Sequence, residues 1–154
     1  MSWTRWAYAL LAAGVAMPAT AATCPPSRSD ERAIERTVHA FYHALGKDDR
    51  RAFDATVTRD FLAVDVNKKF TAPELFEAVA ASHRAGRTIN WGVGPMTIRV
   101  DCQLASARWD NVGSAGIPPA IAPRSWWESA VLRRSVKGWR IEFFHSTLQP
   151  AATR

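Results

Sequence analysis

Cysteine and long apolar runs are the scarcest features of this sequence. Of its 154 residues, 2 are cysteine. After residue 21 no apolar run approaches the roughly 20 residues that a membrane-spanning helix needs. Glycine-rich phosphate loops, dinucleotide-binding fingerprints and nucleophile elbows are absent as well. We therefore expect no membrane span and no nucleotide or other cofactor, and we set aside phosphoryl-transfer and acyl-transfer enzymes.

A concentrated block of positive charge is also missing. The sequence has 20 lysines and arginines against 14 acidic residues, a formal net charge of +6, and the basic residues are spread along the chain. No basic motif of a known nucleic-acid-binding module occurs, so we expect no nucleic acid partner. His39 and His43 have the spacing of metal ligands, but they project away from the apolar stripe of their predicted helix. A solvated helix face is the better interpretation, and no metal site is expected.

The first 21 residues have the pattern of an export signal. Arg5 precedes an apolar run over residues 6–17, and Ala19 and Ala21 supply an A-x-A cleavage site. The run is too short to span a membrane. We expect an exported protein, either periplasmic or secreted. The expected division is a signal peptide, an N-terminal segment and one domain, at residues 1–21, 22–29 and 30–150.

Both cysteines, Cys24 and Cys102, follow the predicted cleavage site. In an oxidising compartment the default is one disulfide that joins the mature N-terminus to the body of the domain. Two free thiols are the alternative, and the spacing excludes a CxxC redox pair. Thr23 stands where a lipoprotein signal would have Gly or Ala, which leaves covalent lipid attachment as a minor alternative.

Helical periodicity fills the first half of the predicted domain. A first helix begins at Ser27 or Ser29, and a second, short helix is capped by Asp48 or Asp49. The segment "DFLAVDV" alternates as a strand, and "TAPE" forms the capping box of a third helix that ends near Gly86. The apolar stripe of the first helix consists of Ile34, Val38, Phe41 and Leu45.

After Gly86 the apolar period changes to 2, which predicts an antiparallel sheet. Its four segments are "INWGVGPMTIRV", "LASARWDNV", "SWWESAVLRRSV" and "WRIEFFHSTL". "DCQ" is predicted to be a tight turn, and residues 113–125 are predicted to be an ordered or partly mobile loop because they are rich in glycine and proline. Helices followed by strands indicate an α+β fold with the helices on one face of the sheet.

The last hairpin can be registered residue by residue. If Lys137 and Gly138 form its turn, His145 lies opposite Ala130 on the face toward the helices, with Glu128 in diagonal reach. The other face then carries an apolar strip that a monomer would not normally expose. This strip consists of Trp127, Val131, Phe144 and Leu148. We therefore expect a homodimer formed through the outer sheet face.

Three stretches of the sequence resemble the nuclear transport factor 2-like superfamily, in particular its SnoaL-like and ketosteroid-isomerase-like branch. They are "AFYHALGKDDRRAFDATVTRDFLAVD", "TIRVDCQLASARWDNVG" and "VLRRSVKGWRIEFFHST". The resemblance implies a cone-shaped single domain in which three N-terminal helices pack on a curved, mostly antiparallel sheet. It also implies a pocket between sheet and helices that binds a small hydrophobic molecule. The candidate ligand-binding residues are Tyr42, Asp65, Trp91, Trp126, Glu128, Phe143 and His145.

The resemblance allows one catalytic mechanism to be tested against the residues. Asp65 stands where the isomerases have a catalytic base, and Glu128 is the nearest match to their protonated carboxylic acid. Phe41, however, stands where they have a tyrosine that donates a hydrogen bond. Loss of that donor costs roughly 3 to 4 kcal/mol of transition-state stabilisation, so steroid isomerisation is not expected. The alternative to a binding module is a cofactor-independent isomerase, dehydratase or hydrolase with Asp65 and His145 as acid and base, and the catalytic candidates are Asp65, His145 and Glu128.

Overall fold

The computed structural model describes residues 27–65 and 67–150. Within them the chain forms three helices and seven strands. The helices are α1 (Arg28–Gly46), α2 (Arg50–Thr56) and α3 (Ala72–Arg84). The strands are β1 (Val57–Asp65), β2 (Lys68–Thr71), β3 (Thr88–Asn90), β4 (Thr97–Asp101), β5 (Leu104–Ile117), β6 (Ala120–Ser135) and β7 (Gly138–Leu148). The predicted signal peptide and Cys24 lie outside the described residues.

Side-chain caps explain where the helices begin. The Ser27 hydroxyl accepts a hydrogen bond from a first-turn N–H of α1 at 3.1 Å, and the Asp49 carboxylate does the same for α2 at 2.9 Å. At α3 the Glu74 carboxylate accepts from the Thr71 N–H at 2.8 Å, as a capping box requires. The three predicted helices are confirmed. None of the helices in the described part of the chain is both long enough and apolar enough to cross a membrane.

All seven strands belong to one sheet, with β7 near its middle. The strand order is β2-β1-β7-β6-β5-β3, and β4 pairs with β5. β1 runs parallel to β7, and the other pairs are antiparallel. The helices and the inner face of the sheet share one core. The predicted α+β fold with a mostly antiparallel sheet is confirmed.

An aromatic cluster lies at the centre of this core. Phe41 is fully buried, and its ring centroid lies 5.3 Å from those of Phe53 and Phe144. The four predicted stripe residues of α1 are all buried, and so is Trp139. Full burial of one phenylalanine side chain contributes about 1.5 to 3 kcal/mol. The cluster therefore holds α1 and α2 firmly against β7.

The loop predicted for residues 113–125 is wrong. This segment extends β5 and β6 into one long hairpin whose turn is formed by Pro118 and Pro119. Pro123 is tolerated inside β6 because β7 pairs with β6 only as far as Trp126, so this part of β6 is an edge. The glycines and prolines of the segment therefore mark a turn and a strand edge, although their composition is typical of a loop.

The first predicted strand after α3 is in fact two short strands, β3 and β4. Between them the chain stays bonded to β5: the Gly94 N–H donates to the Asp110 carbonyl at 2.9 Å, and the Val112 N–H donates to the Gly92 carbonyl at 3.0 Å. A Cβ at position 92 would lie 2.2 Å from the Val112 carbonyl oxygen, so this approach requires glycine. The connection that carries Trp91 is thereby fixed along β5.

The turn of the last hairpin lies one residue earlier than predicted. Val136 and Lys137 form the turn, and Ser135 pairs with Gly138. This correction moves each cross-strand partner by two positions. Because side chains alternate with a period of 2, it leaves the face of every residue unchanged.

A β-bulge in β7 does change the faces. β7 carries one extra residue, Glu142, between the pairs made by Ile141 and Phe143. Before the bulge Ile141 faces the core, and after it Phe144 does. Phe143 and His145 consequently face outward. The predicted inward orientation of both residues is wrong, and its cause is the unpredicted bulge.

The apolar strip predicted for the outer face is corrected in the same way. Trp127, which is 55% exposed, and Val131 lie on the outer face as predicted. Phe144 is only 4% exposed and belongs to the core, and Leu148 alternates with it on the same side. Phe143 pairs with Val131 and takes the place of Phe144 in the strip.

Candidate functional site

A small cavity lies between α1, α3 and the inner face of the sheet. Its volume is about 50 Å³. Aromatic and aliphatic side chains form most of its wall, and polar groups enter it from α1, β1, β6 and β7. These polar residues are Tyr42, Asp65, Glu128 and Ser146, and the aromatic ones beside them include Trp91, Trp126 and Phe144.

Glu128 is held by hydrogen bonds on both of its carboxyl oxygens. It is buried, with 5% of its surface exposed. Oε2 accepts from the Trp109 indole N–H at 2.7 Å and from the Asn111 amide at 2.9 Å. Oε1 accepts from the Ser146 hydroxyl at 3.3 Å. Donors from β5 and β7 therefore fix the orientation of a carboxyl group that β6 carries.

Burial changes the proton affinity of the two central groups. It raises the pKa of Glu128 above its ordinary value of 4.5, while the neighbouring donors, Tyr42 first, oppose part of the shift. Burial also raises the pKa of Tyr42 well above 10, and the negative charge of Glu128 adds to that effect. Tyr42 therefore keeps its proton at physiological pH. Glu128 takes up a proton more readily than an exposed glutamate does.

Two buried polar atoms beside Glu128 have no hydrogen-bond partner among the described residues. They are the Tyr42 hydroxyl oxygen and Asn111 Oδ1. The Tyr42 hydroxyl faces Glu128 and Asn111 but completes no hydrogen bond of normal geometry with either. A buried polar group without a partner costs about 1 to 3 kcal/mol. One molecule with a donor and an acceptor could satisfy both atoms.

Asp65 supplies the second carboxyl group of the cavity. It is the last residue of β1, and its backbone pairs with Lys68 across the hairpin of β1 and β2. Its side chain lies in the cavity wall, and its negative charge contributes to the raised pKa of Tyr42. One cavity thus brings together two carboxyl groups and one phenol.

The residues predicted to bind a ligand divide into two groups. Those in the wall of this cavity are Tyr42, Asp65, Trp91, Trp126 and Glu128. His145 instead pairs with Ser129 on the outer face, where its Nε2 lies 3.1 Å from Thr147 Oγ1. Phe143 lines a separate groove of about 290 Å³ on that face. The predicted approach of His145 to Glu128 is therefore wrong.

The two aromatic residues at the end of α1 have different roles. Phe41, at the donor position of the isomerases, packs against Phe53 and Phe144 in the core. Tyr42, the next residue, brings its hydroxyl to the cavity. The hydroxyl group that α1 brings to the cavity therefore comes from the position next to Phe41.

Sequence reasoning missed Asn111 and Ser146, two of the groups that hold Glu128. A signal for Asn111 was present, because it lies two residues beyond Trp109 on one face of β5, and Trp109 pairs with Glu128. No comparable signal existed for Ser146. The bulge at Glu142 decides which face it occupies.

The remaining predicted positions lie away from the cavity. His39 and His43 are exposed on α1. In residues 27–65 and 67–150 no group of three or more histidine, cysteine, aspartate or glutamate side chains could hold a metal ion. Cys102 lies in the turn between β4 and β5, with a φ of 46°.

Solved structures share this arrangement of helices and strands, although the sequence matches no protein-family profile and no curated protein. A protein of unknown function from Mycobacterium tuberculosis superposes with a TM-score of 0.72 at 15% identity, over 82% of this chain and 80% of that one. An NTF2-like protein with a cystatin-like fold from Novosphingobium aromaticivorans gives a TM-score of 0.69 at 19% identity, over 80% and 84%. The chain has the nuclear transport factor 2-like fold.

The same NTF2-like fold occurs in a ketosteroid isomerase-like protein from Erwinia carotovora atroseptica. Its TM-score is 0.66 at 17% identity, and the match covers 81% of this chain and 100% of that one. At such low identities the common property is the fold, so the predicted NTF2-like architecture is confirmed. The NTF2-like fold carries many activities, and the function must be argued from the cavity itself.

Proposed function

We propose that the protein binds a small, mostly apolar molecule in the cavity between α1, α3 and the sheet. One observation carries the proposal: the Tyr42 hydroxyl and Asn111 Oδ1 are buried without partners among the described residues, beside a Glu128 whose two carboxyl oxygens both accept hydrogen bonds. Apolar walls with a few convergent polar groups are typical of ligand sites. A hydroxyl group of the ligand, which can accept from the Tyr42 hydroxyl and donate to Asn111 Oδ1, would complete this set of hydrogen bonds.

The size of the cavity limits the ligand. Its volume of about 50 Å³ is well below the roughly 300 to 1,000 Å³ of pockets for drug-sized ligands. Trp91 and Trp126 are the partly exposed aromatic residues of the wall, so a larger ligand would have to displace their indole rings. We therefore infer a ligand of the size of phenol, with one oxygen function.

Calorimetric titration with phenol tests this proposal. We expect saturable binding to the wild type and an affinity reduced by about five- to tenfold in Tyr42→Phe and in Asn111→Leu, since each removes one of the two unpartnered hydrogen-bonding groups. His145→Gln is a matched control, because that side chain lies on the outer face and should leave the affinity unchanged. Absence of saturable heat with the folded wild type, or equal loss in the control, would refute the proposal.

A second candidate is general acid–base catalysis without a cofactor. Two carboxyl groups and a phenol in one cavity favour it, and the pair in question is Asp65 with Glu128, since His145 faces outward. The test is exchange of the α-protons of cyclohexanone into D₂O, followed by NMR. Catalysed exchange that Asp65→Asn abolishes and His145→Gln preserves would support it. Exchange at the uncatalysed rate would eliminate it.

We also propose that the chain is exported and that Cys24 and Cys102 form a disulfide. The reasons are the signal-like pattern of residues 1–21 and the oxidising compartment that it implies. Protein recovered from the periplasm or medium of the source organism should begin at Ala22, and a thiol assay in denaturant should find no free thiol. Recovery of the uncleaved chain from the cytosol with two titratable thiols would contradict both.

We further propose that the protein forms a homodimer through the outer face of the sheet. Trp127 is 55% exposed there, and Val131 and Phe143 pair beside it. Apolar side chains on an open sheet face are more typical of an interface than of a surface that stays in water.

A further inference from the structure

A second polar cavity lies outside the core, between α2, the start of β1 and the start of α3. Its volume is about 250 Å³. Three of its lining residues are arginines, Arg50, Arg59 and Arg140, and the one acidic lining residue is Asp54. Three positive charges against one negative charge give the wall a net charge of +2. The cavity is thus suited to an anion, and it shares no lining residue with the cavity that contains Glu128.

Only one of the three arginines is neutralised within the described chain. The Arg50 Nε donates to both carboxylate oxygens of Asp54, at 2.8 and 2.9 Å. Arg59 and Arg140 take part in none of the ion pairs among the described residues. The charge that remains unbalanced therefore belongs to two guanidinium groups on adjacent strands, β1 and β7.

Of these two arginines, Arg140 gives the stronger evidence for a bound ligand. Its Nε is buried and has no hydrogen-bond partner among the described residues. A charged group that is removed from water without an acceptor is destabilising, and such atoms in folded proteins call for an explanation such as a bound ion. Arg140 as a whole is partly exposed and lines the cavity, which places its guanidinium group where a bound acceptor can meet it.

We propose that this cavity binds a phosphate group, either free or as the ester of a small molecule. Guanidinium groups hold phosphate oxygens by paired, charge-assisted hydrogen bonds, and a phosphate dianion balances the net charge of the wall. Arg140 and Arg59 contact the phosphate oxygens. Arg50 also lines the cavity, but its charge is balanced by Asp54, so it is not needed as a phosphate contact.

Calorimetric titration of the full chain with inorganic phosphate, in a buffer low in chloride, tests the proposal. We expect saturable binding to the wild type, and an affinity about tenfold lower in Arg140→Gln and in Arg59→Gln, since each loses a charge-assisted contact. Arg87→Gln is the matched control. Arg87 is exposed and lies outside the cavity, and its substitution removes the same charge. The affinity of this variant for phosphate should therefore differ from that of the wild type by less than about twofold.

Each outcome of this titration bears on the proposal. Absence of saturable phosphate binding to the wild type overturns it, and so does an equal loss in the Arg87 and Arg140 variants, which would indicate nonspecific charge attraction. If Arg140→Gln fails to fold, Arg59→Gln decides, because that side chain is exposed. A parallel titration with glycerol 3-phosphate shows which source of the phosphate group is preferred.

The test is independent of the function proposed for the inner cavity. Phosphate should leave the phenol titration unchanged, and Tyr42→Phe should leave the phosphate titration unchanged, because the two walls have no residue in common. Failure of one titration therefore does not decide the other.

Discussion

Glu128 couples the stability of the protein to pH because burial raises its pKa. A raised pKa in the folded state means that the folded chain binds this proton more tightly than the unfolded chain does. Its contribution to the free energy of unfolding is therefore fully present below the ordinary value of 4.5 and is lost as the pH rises through the raised folded pKa. We expect Glu128→Gln to remove this loss, as measured by denaturant unfolding between about pH 4 and 8.

The pKa of Asp30 shifts in the opposite direction from that of Glu128, so the two groups affect stability in different pH ranges. Hydrogen bonds from Arg134 and then Trp139 lower the pKa of Asp30 below 3.8. Its stabilising contribution is present above that value and is lost as the pH falls through the folded pKa. A wild-type unfolding free energy that rises between pH 4.5 and neutrality would contradict the assignment for Glu128.

Neighbouring aromatic residues of α1 should differ sharply in their effect on stability. Phe41→Ala removes a fully buried ring from the aromatic cluster and should cost about 3 to 5 kcal/mol of unfolding free energy. Tyr42→Phe removes only a hydroxyl that has no partner among the described residues, so it should cost less than about 1 kcal/mol. Urea unfolding of both variants checks the contrast. A large loss in Tyr42→Phe would indicate a hydrogen bond that the structure lacks.

At the scale of single residues, part of the candidate site could be predicted from the sequence. Tyr42, Glu128 and the two tryptophans of the cavity wall are placed by helix periodicity and strand alternation, which are local patterns. The partners of Glu128 depend on which strands lie side by side, and that information is not local. Asn111 and Ser146 reach Glu128 only through the pairing of β5, β6 and β7, so local patterns alone do not assign them to the site.

Among the elements, α3 depends on its capping box. Glu74 accepts hydrogen bonds from both the N–H and the hydroxyl of Thr71. We expect Thr71→Ala to lower the unfolding free energy by about 1 kcal/mol because the hydroxyl is lost from the cap. Thr147→Ala, on an exposed strand end, is the control and should change it by less than about 0.5 kcal/mol. Equal effects in the two variants would show that the cap contributes nothing.

Helices were predicted better than strand pairings, for a physical reason. A helix is defined by contacts within four residues, so Ser27, Asp49 and Thr71 mark its start in the sequence itself. The long hairpin over residues 113–125 depends on backbone pairing between β5 and β6, and its many glycines and prolines resemble a loop. Composition alone could not distinguish a turn with strand edges from an irregular segment.

For the whole molecule, the outer face of the sheet makes the sharpest prediction. We expect the wild type to sediment as a dimer at tens of micromolar, and Trp127→Glu to shift it to a monomer by placing a charge in the apolar interface. Val136→Glu is the control, since that side chain projects fully into solvent from the turn before β7. A wild type that sediments as a monomer would remove the basis for the dimer.

The NTF2-like fold was predictable from the sequence, whereas its function was not. The order of helices and strands, together with their apolar faces, specifies the architecture. Function depends on a few polar groups in one cavity, and the same architecture can hold quite different sets. Here the polar groups are Tyr42, Asp65 and Glu128, and only the folded structure shows that they line one cavity.

The bulge at Glu142 also changes which alternate positions of β7 should be sensitive to mutation. In a library of single polar substitutions, sensitive positions should be odd-numbered before the bulge, at Trp139 and Ile141, and even-numbered after it, at Phe144 and Ser146. Deletion of the one codon for Glu142 would restore a single parity along the strand. Without Glu142, Ile141, Phe143 and Phe144 already follow one another as inward, outward and inward, so Phe144 would stay in the core and Phe143 on the outer face. The loss of this one residue should therefore remove the bulge and leave both surfaces of the strand unchanged.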